Sequence, residues 1–434
     1  MHQRTTTDTA ARPGAGRALF AAIAGTVIEW YDYALYGTAA GLIIGPLFFA
    51  GLDSGASLAA FATFAVGFVA RPLGGILVGH MGDRYGRRPA MLLTVILMGV
   101  ATVGIGLLPT HAAIGAAAPV LLVLLRLLQG MGAGAELAGA MTLVAEFAPP
   151  RRRGLYTSFV LSAPPAGIVL ASVAFLWAAS LGDDALLAWA WRVPFLVSVV
   201  LFALAVFIRA KLEESPEYEQ ALARARKEGT RRKVPVVELW RTHARAVVAG
   251  FFALTGHNAL NYILAVFSLS FMTSPEVEMS RGSALLAVSI GSVCGVLTTP
   301  LGGLAADRFG SRAVLATGSL LGAVGAFPLF WALSSGDLVL ASVAIAVGYG
   351  LVIACTSGSQ GAFLAGLFPT AERFSGIALA RETNGAIVAG FSPLVAAALI
   401  SAAGGSTWGA ALFLAACCLS SVLAVLLMRS RQYA

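Results

Sequence analysis

Residues 79–88 read "GHMGDRYGRR" and residues 303–312 read "GLAADRFGSR". Gly79, Asp83, Arg84, Gly86 and Arg88 of the first stretch return at the same internal spacing as Gly303, Asp307, Arg308, Gly310 and Arg312, half a chain length later. A second echo follows at nearly the same offset, 222 residues against 224: Arg151 and Gly154 return as Arg373 and Gly376. Between the copies lies the longest hydrophilic segment, "RAKLEESPEYEQALARARKEGTRRKVPVVELWRTHAR" at 209–245, so the chain is a duplication cut near its middle. Each half is strongly apolar. Overall 58% of the 434 residues are hydrophobic and 12% are charged, where soluble domains are about a quarter charged.

Apolar runs of roughly 20 residues, enough to cross about 30 Å of hydrocarbon, recur from end to end. They fall at 18–38, 56–79, 90–109, 117–145, 155–180, 189–210, 246–272, 282–305, 313–333, 338–366, 376–402 and 407–428. All are expected to be helices, because a lipid-facing backbone must satisfy its hydrogen bonds internally. The expected fold is an all-α membrane protein of twelve transmembrane helices in two six-helix halves. Its parts are a tail (1–17), a first bundle (18–210), a central loop (211–245), a second bundle (246–428) and a short tail (429–434). The polar start and apolar run after it resemble a signal peptide, but Glu29 and Asp32 interrupt that run and no small-residue cleavage site precedes them. The run is therefore read as a retained first span.

Arginine and lysine set the orientation. Of 29, those outside the spans concentrate in the tails and in the loops after even-numbered spans, while loops on the other side hold only Arg192 and Arg281. The positive-inside rule then puts both termini in the cytoplasm, and the net charge of +8 reports topology. Nucleic-acid binding is excluded, since that charge is scattered over short loops with no binding module around it. Cys294, Cys355, Cys417 and Cys418 fall inside spans without metal-ligand spacing and read as core residues. No metallohydrolase helix, nucleophile elbow or phosphate loop is present, so no catalytic, metal or cofactor site is expected. Two matched six-span halves around a midplane site are the architecture of a secondary transporter.

The motif "GHMGDRYGRR", its weaker copy, and "RLLQGMGAGAE" at Arg126–Glu136 resemble the signature loops and fourth helix of the major facilitator superfamily. More narrowly, "EWYDYALYG", "ATFAVGFVARPLGGILVGHMGDRYGRRPAMLLT", "AEFAPPRRRGLYTS" and "EESPEYEQ" resemble the metabolite:proton symporters, a family with shikimate-type and proline/betaine-type carriers. The resemblance implies the major facilitator fold, a bacterial inner-membrane location, a monomer, a small-molecule substrate and a proton as coupling ion. The chain departs from the family pattern in three places. Helix four reads "GAEL" at Gly134–Leu137, Leu161 stands where a glutamine is frequent, and helix seven reads "GHNALNY".

Ionised residues at mid-bilayer cost about 2.5 to 3.5 kcal/mol even on the lenient scale, so they persist where they pair or face water. Asp32 lies about 18 Å into the first span, too deep for a short side chain to reach water along the helix. Glu29, Asp32 and Tyr36 share one helical face, with Tyr33 one turn from Glu29. Asp32 is thus the candidate proton-coupling carboxylate, with Glu29 or Glu136 as helper. Arg126, about 13 Å down the fourth span, is placed to serve Asp32, the solute, or each in turn. Arg71, Arg381 and Glu382 are equally consistent with snorkelling to a helix end.

In the second half His257, Asn258, Asn261 and Tyr262 form one polar patch at helical spacing. With Arg126, Tyr36, Tyr33, Arg381 and Asn384 they are the candidate substrate-binding residues. The loop residues Gly79, Asp83, Arg84, Gly86, Arg87, Arg88, Asp307, Arg308 and Arg312 are expected to balance two access states. The cationic side chains favour an organic anion: shikimate, a ketoacid, or a di- or tricarboxylate. A zwitterion such as proline or betaine, held by Trp30, Tyr31, Tyr33 and Tyr36, is the alternative, and proton-antiport efflux is the other.

Overall fold

The computed structural model describes residues 15–428 apart from 53–54, 86, 134–136, 138–139, 142–143, 145–147, 212–235 and 370–371. The described residues are helical, with no strand among them. The long helices are α1 (Ala15–Leu42), α2 (Ala56–Tyr85), α3 (Arg87–Leu107), α4 (Ala117–Gly132) and α5 (Arg153–Ser180). They continue as α6 (Arg192–Lys211), α7 (Leu239–Met272), α8 (Arg281–Phe309), α9 (Ser311–Leu333), α10 (Leu338–Leu367), α11 (Arg373–Ala402) and α12 (Trp408–Leu427). Every expected apolar run meets one of them. The helical stretch leading into α7 starts at Val236, inside the segment read as loop, and departs from helical geometry at His243 before entering the apolar run.

Length and apolar composition make eight of the described helices long enough to cross a membrane: α2, α5 and α7–α12. The apolar parts of α3 and α4 that meet the same description are shorter, and α1 carries two carboxylates in its middle. The outer surface is apolar, as lipid requires: Leu297, Val324, Trp331 and Leu427 all stand exposed. Side-chain caps close the starts of α8 and α10. Ser280 accepts the Ser283 N–H at the start of α8, and Asp337 accepts the Leu340 N–H at 2.7 Å at the start of α10. The α8–α9 turn pivots on Gly310 at φ 90°, a conformation that a side chain resists, which explains that glycine in the repeated motif.

The duplication is visible in the packing. In the first half α1 lies on α5, α2 on α4, and α3 on α6; in the second, α7 lies on α11, α8 on α10, and α9 on α12. The halves meet through matching pairs: α2 on α11, α8 on α5, and α1 on α7. Small residues let these helices approach. A Cβ on Gly130 would sit 2.0 Å from the Gly67 carbonyl oxygen, so this glycine serves α2–α4 contact, while one on Gly132 would lie 2.8 Å from the Thr94 oxygen of α3. A Cβ on Gly167 would lie 2.5 Å from the backbone of Trp30 and Tyr31, which presses α5 onto the middle of α1.

Candidate substrate and proton site

Asp32 is fully buried in the first half, on the face of α1 that looks at α3 and α4. Thr102 of α3 donates to its Oδ1, and Gln129 Nε2 donates to its Oδ2 at 2.7 Å and to Thr102 Oγ1 at 2.9 Å. Arg126 does not take the carboxylate directly; its NH1 donates to Gln129 Oε1, so Gln129 is the link between acid and base. The guanidinium is anchored by the Phe64 and Thr63 carbonyls of α2, at 3.1 and 3.4 Å, and lies 3.8 Å over the Tyr36 ring. Tyr36 in turn donates to Thr63 Oγ1 at 2.6 Å. A Cβ on Gly67 would fall 2.3 Å from Arg126 NH2, so α2 needs a glycine there to admit the side chain. Both oxygens of Asp32 accept hydrogen bonds. The Gln129 amide joins that carboxylate to Arg126, donating to the one through Nε2 and accepting from the other through Oε1.

A second charged group sits at the seam between the halves. Arg71 Nε donates to Glu382 Oε2 at 2.9 Å, and Arg71 NH2 lies 3.8 Å from Glu29 Oε1 and 3.1 Å from the Ala133 carbonyl. Its guanidinium stacks 4.9 Å over Tyr33, and the residue is 6% exposed. The snorkelling reading of Arg71 and Glu382 is therefore overturned: they pair across the α2–α11 contact, burying both charges from lipid. Glu29 belongs to this group and not to the Asp32 cluster.

The third group lines a central cavity of about 10 Å³, bounded by Trp30, Pro164, Pro165 and Leu161 of the first half and by His257, Asn258, Asn261, Ser357, Gln360 and Arg381 of the second. That volume is at the lower limit for a single water and leaves no room for a solute, so the halves are closed on each other around the polar lining. His257 Nδ1 meets Thr356 Oγ1 at 2.9 Å and its Nε2 meets Gln360 at 3.3 Å, while Arg381 NH1 donates to Gln360 Oε1 at 2.9 Å. Three π-helical turns lie next to this lining: Ile263–Phe267 after Tyr262, Gly348–Ile353 before Thr356, and Gly385–Ala389 after Asn384. Such turns interrupt the regular ladder and are frequent at functional sites.

The sequence-derived substrate set thus divides. His257, Asn258, Asn261 and Arg381 come together at the cavity. Asn384 stands behind it, donating to Thr255 and the Phe251 carbonyl and accepting from Asn258. Tyr262 stacks on Trp30 and packs against Phe64 and Phe68 in an aromatic layer between the halves. Tyr33, Tyr36 and Arg126 belong to the buried clusters described above. Tyr31 turns away and donates to the Pro194 carbonyl at 3.0 Å, so it offers no surface to a solute at the seam. Gln129 lay unnoticed in "RLLQG", although its position three residues from Arg126 puts both on one face. Thr102 carried no signal. Glu136 and Gly86 lie outside the described residues, as do the side chains of Asp83, Arg84, Arg87 and Arg88; at Gly79 the described backbone is helical.

The second copy of the loop motif does bridge the halves. Asp307 accepts the Gly154 and Leu155 N–H groups of α5 at 2.7 and 2.9 Å, where a helix start supplies unpaired donors. Gly303 and Gly154 touch there: a Cβ on Gly303 would lie 2.6 Å from the Gly154 oxygen. Arg312 instead donates to the Val425 and Leu426 carbonyls of α12 within its own half, and Arg308 lies over Phe309.

A chain that pairs buried acid and base in one half, faces a polar cavity with the other and repeats one loop in both has the build of a secondary carrier. It belongs to the sugar (and other) transporter family of the major facilitator superfamily, whose pattern it matches over residues 17–235 and again over 220–429. It is 38% identical to the inner membrane metabolite transport protein YhjE of Escherichia coli, over 88% of this chain and 87% of that one. It is 36% identical to the shikimate transporter of Escherichia coli (97% and 96% covered), and 33% identical to the proline/betaine transporter of Salmonella typhimurium (89% and 78% covered). Among solved structures, the crystal structure of a D-xylose-proton symporter superposes with a TM-score of 0.71 at 21% identity, covering 94% of this chain and 95% of that one. The chain is a multi-pass inner-membrane transporter of the metabolite carrier kind.

Proposed function

We propose that the protein takes up a small organic acid together with a proton by alternating access. In this reading the helices cross the membrane twelve times, both termini are cytoplasmic and one chain suffices for transport. Asp32 takes the proton; Gln129 and Arg126 convey its presence to α2; the central cavity receives the solute. The observation that carries the choice of an acid is Arg381, a cation on the lining of the seam whose NH1 donates to a neutral amide, Gln360. A carboxylate competes well for such a guanidinium, because it can accept two parallel hydrogen bonds. The relation to a shikimate transporter supports the same class.

A screen of the purified carrier by thermal shift tests it, with shikimate, succinate, citrate and a ketoacid against proline and betaine. An acid at a hundredfold excess over Kd should stabilise by about 2.7 kcal/mol. A shift with proline or betaine alone would instead favour the osmolyte reading, for which Trp30 on the cavity wall and the proline/betaine relatives speak.

In the same reading Asp307 holds the cytoplasmic side closed. Asp307→Asn weakens two charge-assisted hydrogen bonds, each worth roughly 1.5–3 kcal/mol, and should shift the balance at least tenfold toward the inward-open state. A cysteine placed at Thr157, whose side chain would meet a Cβ on Gly361 at 2.7 Å in the seam, reports this from the cytoplasmic side. Labelling at an unchanged rate would remove Asp307 from the gate.

A further inference from the structure

A larger cavity, of about 190 Å³, lies near the opposite end of the seam from Asp307. It is formed where the end of α1, the start of α2, the end of α7 and the start of α8 converge. Arg281 is the one charged residue among its described lining, and Ser57, Ser270, Thr273 and Ser274 supply hydroxyls. Ser274 Oγ is buried there with no hydrogen-bond partner. Arg281 NH1 pairs with Asp183 Oδ2 in the α5–α6 connection, and that carboxylate is 65% exposed, so solvent screens the pair. Directly beneath, α1 and α7 shut the way to the centre: a Cβ on Gly41 would lie 2.8 Å from the Val266 oxygen.

We propose that this cavity is an outer carboxylate site, where an organic anion replaces Asp183 on Arg281 and accepts from Ser274 before the α1–α7 seam opens. Its placement outside the membrane rests on the topology given under the proposed function; its preference for anions does not. A guanidinium in a walled recess concentrates anions and repels cations. The two partners of the ion pair therefore have opposite effects. Removing Arg281 empties the site of its charge, whereas removing Asp183 frees the guanidinium for the incoming anion. If the pair served only to clasp the halves, both removals would act in the same direction.

The test uses the full chain in sealed right-side-out vesicles, with Ser274→Cys as reporter and the chain lacking that substitution as background. Ser57→Cys, on the exposed rim, is a second reporter should the first disturb folding. Rates with an anionic and a cationic methanethiosulfonate are each divided by the rate with a free thiol. The expected anionic-to-cationic ratio is about ten. Arg281→Gln should bring it to about one, and Asp183→Asn should raise it severalfold. Millimolar shikimate should slow the anionic reagent when Arg281 is present and have no effect in Arg281→Gln. A ratio near one in the reporter chain, or a shift in the same direction in both variants, would overturn the site. Anion preference with no acid transported would support the site and overturn the uptake reading alone.

Discussion

Asp32→Asn is expected to abolish accumulation of solute against its gradient while leaving exchange of solute for solute in place. The asparagine keeps the shape and can still accept from Thr102 or Gln129, so the buried cluster holds, but it can no longer take a proton. Gln129 then reports one fixed state to Arg126, and the solute site loses its link to the proton gradient. One proton moving down one pH unit supplies about 1.4 kcal/mol, a tenfold accumulation, and that drive disappears in the variant. Exchange needs no net proton release and should continue. Affinity for the solute should also lose most of its dependence on pH. Uptake into vesicles with an imposed pH gradient, beside exchange in vesicles preloaded with solute, separates the two modes. Wild-type accumulation by Asp32→Asn would transfer the role to another carboxylate, with Glu29 next in line.

Arg126→Lys is expected to fail in both modes. The guanidinium donates to Gln129, Thr63 and Phe64 in three directions while lying flat on Tyr36, and an ammonium on a thinner stem cannot reproduce that fan or that stacking. Hydrogen bonds to charged groups contribute about 1.5–3 kcal/mol each, so losing one or two should slow uptake and exchange by at least roughly tenfold. The contrast with Asp32→Asn is the informative part, since Arg126 organises α2 and α4 around the acid whether or not a proton is present. Exchange at the wild-type rate in Arg126→Lys would remove it from the machinery.

Much of this was legible in the sequence because lipid makes patterns simple. Apolar runs marked the helices, the repeated loop marked the halves, and the depth of Asp32 marked it as buried before any contact was known. Spacing also put His257, Asn258 and Asn261 on one broad face, and all three line the central cavity. The failures share one cause: spacing along a helix says which residues share a face, but not which neighbour that face meets. Glu29 and Asp32 stand one turn apart, yet Glu29 looks to Arg71 at the seam and Asp32 to Thr102 and Gln129 inside the first half. Tyr31 is adjacent to both Trp30 and Asp32 in sequence and points to α6. The Arg71–Glu382 pair joins residues from opposite halves, and nothing local to either run announces it.

In the proposed cycle solute and proton move inward together. The most direct test is simultaneous recording of both fluxes in vesicles holding the purified carrier, with no gradient imposed. Adding the acid that gives the largest thermal shift should alkalinise the outer medium as the solute enters, in fixed proportion to it, and Asp32→Asn should abolish the proton signal. Acidification of the medium on solute entry would mean antiport, and solute entry with no proton movement would mean that the carrier is uncoupled; either result would rule out symport.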